Sequence, residues 1–133
     1  MSQDKQDSAV SLRQSFFDEL GRREIARRAR EDAERAQQES DNAGAMALYH
    51  ILAGEGDFLR EKGLVLDHTR YAVTLDHENF RLRAYFEDDK ASVTSADKRN
   101  TANMSAAPRK QETADSVEAA VLLLAQYLAD ESF

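Results

Sequence analysis

The chain has 133 residues, 32% of them charged, with no Cys, no Trp, a single Pro and a formal net charge of −7. That length suits one domain, and the absence of Cys excludes disulfides, thiolate metal sites and cysteine nucleophiles. The longest apolar run, residues 119–125, falls far short of the roughly 20 residues that cross a bilayer, and the polar N-terminus has no signal-peptide core, so a cytoplasmic protein without a membrane partner is expected.

Residues 1–10 read as a disordered N-terminus, and residues 11–63 as a helical segment. Ser11 and Gln14 have capping-box spacing, and opposite charges recur four residues apart, as in Asp18/Arg22, Glu19/Arg23, Glu24/Arg28 and Arg27/Glu31. Each such pair contributes only about 0.2–0.5 kcal/mol, but they accumulate along a solvated helix. Residues 11–40 hold seven Arg and seven acids, so this stretch is neutral. Its apolar stripe changes from Leu12, Phe16, Phe17 and Leu20 to the thinner series Ile25, Ala29, Ala33 and Ala36. Such a helix has too few large apolar groups in its second half to be fixed by its own core, and these eight residues are the expected self-association surface.

Ser40-Asp41-Asn42 is a cap signal, and Ala45, Leu48, Tyr49 and Leu52 follow at helical spacing. A second helix is expected over about 42–53, more readily folded back as a hairpin than continuous with the first. A short turn of helix follows at Asp57–Lys62, closed by Gly63.

From Leu64 to Ala96 the apolar period becomes two, which predicts a four-stranded antiparallel meander. Leu66-Asp67-His68-Thr69-Arg70-Tyr71 resembles Leu75-Asp76-His77-Glu78-Asn79-Phe80, so one turn chemistry is expected at both 67–70 and 76–79. Those turns pair Leu75 with Phe80, Val73 with Leu82, Leu66 with Tyr71 and Leu64 with Val73, all on one face. Residues 97–113 carry Ser, Asn, Thr, Ala, the one Pro and four basic residues without periodicity, and read as a flexible loop. Residues 114–133 open with Asp115 and Glu118 in capping-box spacing and carry Val117, Val121, Leu124 and Leu128, an amphipathic helix expected to cover the sheet. The fold class is therefore α+β, with 64–133 and part of 11–63 forming one domain.

No Gly-x-Ser-x-Gly, phosphate-loop or His-Glu-x-x-His pattern occurs, so no catalytic residue, cofactor or metal ligand is assigned and the chain is read as a non-enzyme. His68 and His77 each follow an aspartate, but the expected turns lie at opposite ends of one strand, and both rings are read as solvated. The sheet's polar face is more informative: in the expected register Arg70, Arg81, Arg83 and Tyr85 share one surface, the residue types that hold single-stranded nucleic acid or acidic side chains. The charge balance disfavours a polyanion partner.

The leading expectation is a binding protein without catalytic activity, an adaptor or inhibitor that forms a homodimer through its N-terminal helix and engages a protein partner. The alternatives are a nucleic-acid accessory protein using the Arg/Tyr face, and an acidic mimic of a polyanion that inhibits a nucleic-acid enzyme.

Overall fold

The computed structural model describes residues 2–99 and 110–131, with side chains from residue 8 onward. Its elements are α1 (Ser2–Ala53), α2 (Gly56–Glu61), β1 (Val65–His68), β2 (Ala72–Asp76), β3 (Phe80–Glu87), β4 (Lys90–Asp97), β5 (Lys110–Ala114) and α3 (Val117–Glu131). The class is the expected α+β: a long N-terminal helix, an antiparallel meander in the order β1-β2-β3-β4-β5, and a C-terminal helix packed on the sheet. The chain divides into two units, Met1–Ala36 and Gln37–Phe133.

Three expectations about the helices are corrected. α1 begins at Ser2, inside the segment read as disordered, and continues without interruption through Ser40-Asp41-Asn42 to Ala53, so there is no hairpin. Asp41 does not cap a new helix because its carboxylate is engaged on the β3–β4 turn, accepting the backbone N–H groups of Asp88 and Asp89. Gly44 does not break the helix; it is the point of contact with Phe86, whose ring atoms would lie 2.8 Å from an added Cβ. At the C-terminal helix the side chain that caps is Ser116, whose Oγ accepts the Ala119 N–H at 3.0 Å, rather than Asp115.

The core lies on one face of the sheet. β3 alternates buried and exposed over all eight residues, with Phe80, Leu82, Ala84 and Phe86 inward. Val73 and Leu75 of β2, and Ala91 and Val93 of β4, extend that layer. Ala45 and Leu48 of α1, Leu59 of α2, and Ala120, Leu124 and Tyr127 of α3 close over it. Burying each large side chain contributes about 1.5–3 kcal/mol before conformational entropy is set against it.

The hairpins are tighter than expected. Thr69 N–H bonds to Ala72 O and His77 N–H to Phe80 O, both at 2.9 Å, which leaves the two-residue tips Arg70-Tyr71 and Glu78-Asn79. Leu75 therefore pairs with Leu82 rather than Phe80, Val73 with Ala84 rather than Leu82, and Leu66 with Leu75 rather than Tyr71. The shifts are by two and four residues, so the apolar residues keep their face. The repeated Leu-Asp-His motif does not make the same turn twice: Tyr71 sits at a tip, whereas Phe80 is a buried strand residue.

A fifth strand, β5, occupies the end of the segment read as a loop, pairing with β4 from Ala114 against Ala91 to Lys110 against Ser95. Residues 100–109 of that segment lie outside the described residues.

Candidate functional site

Strand alternation sends every second side chain of the meander to the face opposite the core. One cross-strand row there is Asp67, Thr74, Arg83, Thr94 and Gln111; its neighbours are Val65, Asp76, Arg81 and Ala96 on one side and Ala72, Tyr85, Ser92 and Thr113 on the other. Arg81, Arg83 and Tyr85 thus stand in line along β3 and are exposed, as expected. Arg70 does not join them. It lies at the β1–β2 tip with its guanidinium 5.4 Å from the centre of the Tyr71 ring, and the residue opposite Tyr85 is Ala72.

The electrostatics of this face are set by Asp76, a residue read from sequence as part of a turn. Its carboxylate accepts Lys98 Nζ at 2.9 Å and Arg81 Nε at 3.3 Å. Partial burial works to raise the Asp76 pKa, but those two cations outweigh it and hold the carboxyl below its ordinary value. Arg81 and Lys98 thereby share the one negative charge of Asp76, and Asp67 lies one row away. Arg83 keeps its charge available: its guanidinium is 5.7 Å from the Tyr85 ring centre, and among the described residues it forms no ion pair.

The histidines are not solvated turn residues. His68 ends β1 opposite Val73, and its ring lies 4.9 Å from that of Tyr49, with Nε2 buried and without a hydrogen-bond partner among the described residues. His77 stacks on Phe80 at 4.6 Å while its Nδ1 accepts the Asn79 N–H. Among the described residues no group of three or more His, Asp or Glu could hold a metal ion, and no described helix is long and apolar enough to cross a membrane.

The second candidate surface is α1 up to Ala36. All of its described side chains are exposed, including Val10, Leu12, Phe16, Phe17, Leu20 and Ile25 at 41–72%. Phe16 and Phe17 touch edge to face at 5.2 Å, and Arg13 lies 5.9 Å from the Phe17 ring centre. Exposed ion pairs on the same helix, Arg22 and Arg23 with Glu19 and Arg35 with Asp32, span one turn each.

Neither a protein-family model, a curated protein nor a solved structure matches the chain.

Six of the eight residues expected to form one surface divide between two faces of the helix, and Phe17 and Ala33 lie between those faces. At about 100° per residue, Leu12, Phe16 and Leu20 cluster on one side, and Ile25 lies about 180° from Phe16 with Ala29 and Ala36 beside it. No single partner helix covers both. The split follows from the helical period alone, since the helix expected from sequence already runs through all eight residues.

Proposed function

We propose that the protein is a non-catalytic interaction molecule, of adaptor or inhibitor type, that self-associates as a two-fold dimer through residues 12–36 of α1. The observation that carries this reading is the exposure of six large apolar side chains between Val10 and Ile25. Each forgoes part of the about 1.5–3 kcal/mol that full burial of such a side chain contributes, and apolar clusters rimmed by charge mark interaction surfaces. A second copy suits this helix because residues 11–40 carry equal numbers of Arg and acids, so two such segments meet without net repulsion. Two-fold pairing is the commonest closed arrangement.

Sedimentation equilibrium tests the reading. The wild-type chain is expected above its monomer mass of 15.0 kDa, and a variant combining Phe17→Asp with Ile25→Asp is expected at that mass. A wild-type protein that stays monomeric up to the highest soluble concentration overturns it.

A second reading, binding of single-stranded nucleic acid, draws on Arg83 over Tyr85. Titration of a labelled oligonucleotide decides it: support requires affinity that falls steeply with salt and is lost in Arg83→Ala.

A further inference from the structure

We infer that two copies pair antiparallel along α1 about a two-fold axis beside Arg27, with Ile25 of each chain against the partner's Ala29 and Arg22 of each against the partner's Asp32. This rests on the self-association reading and assigns the contact to the Ile25 face alone, one of the two faces of α1.

Asp18, Arg22, Ile25, Ala29, Asp32 and Ala36 follow one another by alternating steps of four and three, the spacing that keeps one seam facing a partner helix. All six are exposed, and Ile25 is 70% accessible. The charges on this seam choose the direction. Parallel pairing in register sets Asp18 on Asp18, Arg22 on Arg22 and Asp32 on Asp32, three repulsive layers out of six. Reversing one helix about Arg27 sets Arg22 against Asp32 twice, Ile25 against Ala29 twice and Asp18 against Ala36 twice. Every charged layer then holds opposite signs or an acid beside a methyl group. Within one chain Arg22 and Asp32 meet only charges of their own helix, Glu19 and Arg35, at solvent-exposed positions where such pairs contribute little. Between two seams the same side chains are shielded from water, where opposite charges act more strongly. One like-charge approach is created, Arg28 beside its own mate near the axis, and Glu24 and Asp32 lie one turn to either side of it. Leu12, Phe16 and Leu20 stay on the opposite side of the helix, outside this contact.

Charge exchange and cross-linking test the geometry. Arg22→Asp alone and Asp32→Arg alone each place two like-charge layers in the dimer, and each is expected to raise its dissociation constant about tenfold or more. Mixing the two variants restores association, because the mixed pair regains opposite charges in both layers. Circular dichroism of each variant shows whether the helix itself is kept. The absence of native Cys makes single cysteines unambiguous. Ala26→Cys, beside the axis, is expected to cross-link to its own mate with a short bis-maleimide. Ala36→Cys is not, because the two copies of residue 36 stand about 27 Å apart at 1.5 Å per residue. Cross-linking of both, or no recovery on mixing, overturns the antiparallel seam. A dimer untouched by these changes but dissolved by Phe16→Asp with Phe17→Asp overturns the seam while sparing self-association, and a monomeric wild type removes the reading beneath both.

Discussion

The Asp41 carboxylate accepts the backbone N–H of Asp88 at 3.1 Å and that of Asp89 at 2.9 Å, so a helix residue caps a hairpin turn 47 residues away in sequence. Both turn residues adopt positive φ, 54° and 62°, the geometry of a two-residue hairpin that Asn-Gly serves best. Asp41 is 6% exposed, so the two bonds it accepts are partly shielded from water. Asp41→Ala is expected to lower unfolding free energy by about 1–3 kcal/mol, read from urea denaturation. Asp41→Asn, which keeps one acceptor oxygen, should fall between the two.

Two glycines of the same helix are expected to respond oppositely to alanine. At Gly44 the new methyl group would meet the Phe86 ring at 2.8 Å, and that ring is 5% exposed and packed in the core. Overpacking of this kind costs about 1–3 kcal/mol, which outweighs the helix-propensity gain of up to about 1 kcal/mol. At Gly21 nothing lies within 4 Å, so the propensity gain stands alone. Gly44→Ala should lower the melting temperature, and Gly21→Ala should raise helical circular dichroism without lowering it.

The same residues show how far the fold was legible. β3 was readable because Phe80, Leu82, Ala84 and Phe86 alternate without a lapse, and the face of every apolar strand residue followed from that period. The register was not, since a shift of two leaves the pattern unchanged and only the hydrogen bonds at the tips distinguish a two-residue turn from a four-residue one. β5, with the sequence Lys-Gln-Glu-Thr-Ala, carries no apolar alternation because only Ala114 is buried. Its inward-facing Glu112 pairs with a tyrosine hydroxyl instead of filling the core. The continuity of α1 was hidden because Ser40, Asp41, Asn42 and Gly44 carry stop signals locally, whereas Ser40, Asp41 and Gly44 are used here for contacts to the β3–β4 hairpin. On the exposed sheet face Arg81, Arg83 and Tyr85 were readable from strand parity, whereas the Asp76 contact with Lys98 joins residues far apart in sequence and leaves no local trace.

Alkaline titration should find Tyr127 ionising late. Tyr127 is 1% exposed and donates its hydroxyl to Glu112 Oε1 at 3.0 Å. Burial first, then the hydrogen bond and charge of Glu112 with a contribution from Asp130, push its pKa from 10.0 up to about 12. Up to pH 10 folded and unfolded chains both keep the proton, and the stabilisation is whole. Between about 10 and 12 the unfolded chain releases the proton first, so stability falls as pH rises. Absorbance of the phenolate should show a late-ionising tyrosine, and Tyr127→Phe should remove both that phase and the pH dependence of stability assigned to it.

Asp76 offers a converse test, because it restrains the cations of the exposed sheet face. Its carboxyl is held below 3.8 by Lys98 and Arg81 against the opposing effect of burial. Its contribution to stability is therefore present above that value and is lost as pH falls through the lower, folded one. Asp76→Asn removes the charge at every pH and should flatten the acid limb of the stability profile. The same change leaves Arg81 and Lys98 without this counter-charge beside Arg83, so the face becomes a cluster of three cations with Tyr85 among them. Retention on immobilised heparin should then extend to higher salt than for the wild type, and adding Arg83→Ala should reverse most of the gain. Unchanged elution would mean that Lys98 and Arg81 are held by something other than Asp76, and the electrostatic account of this face would have to be abandoned.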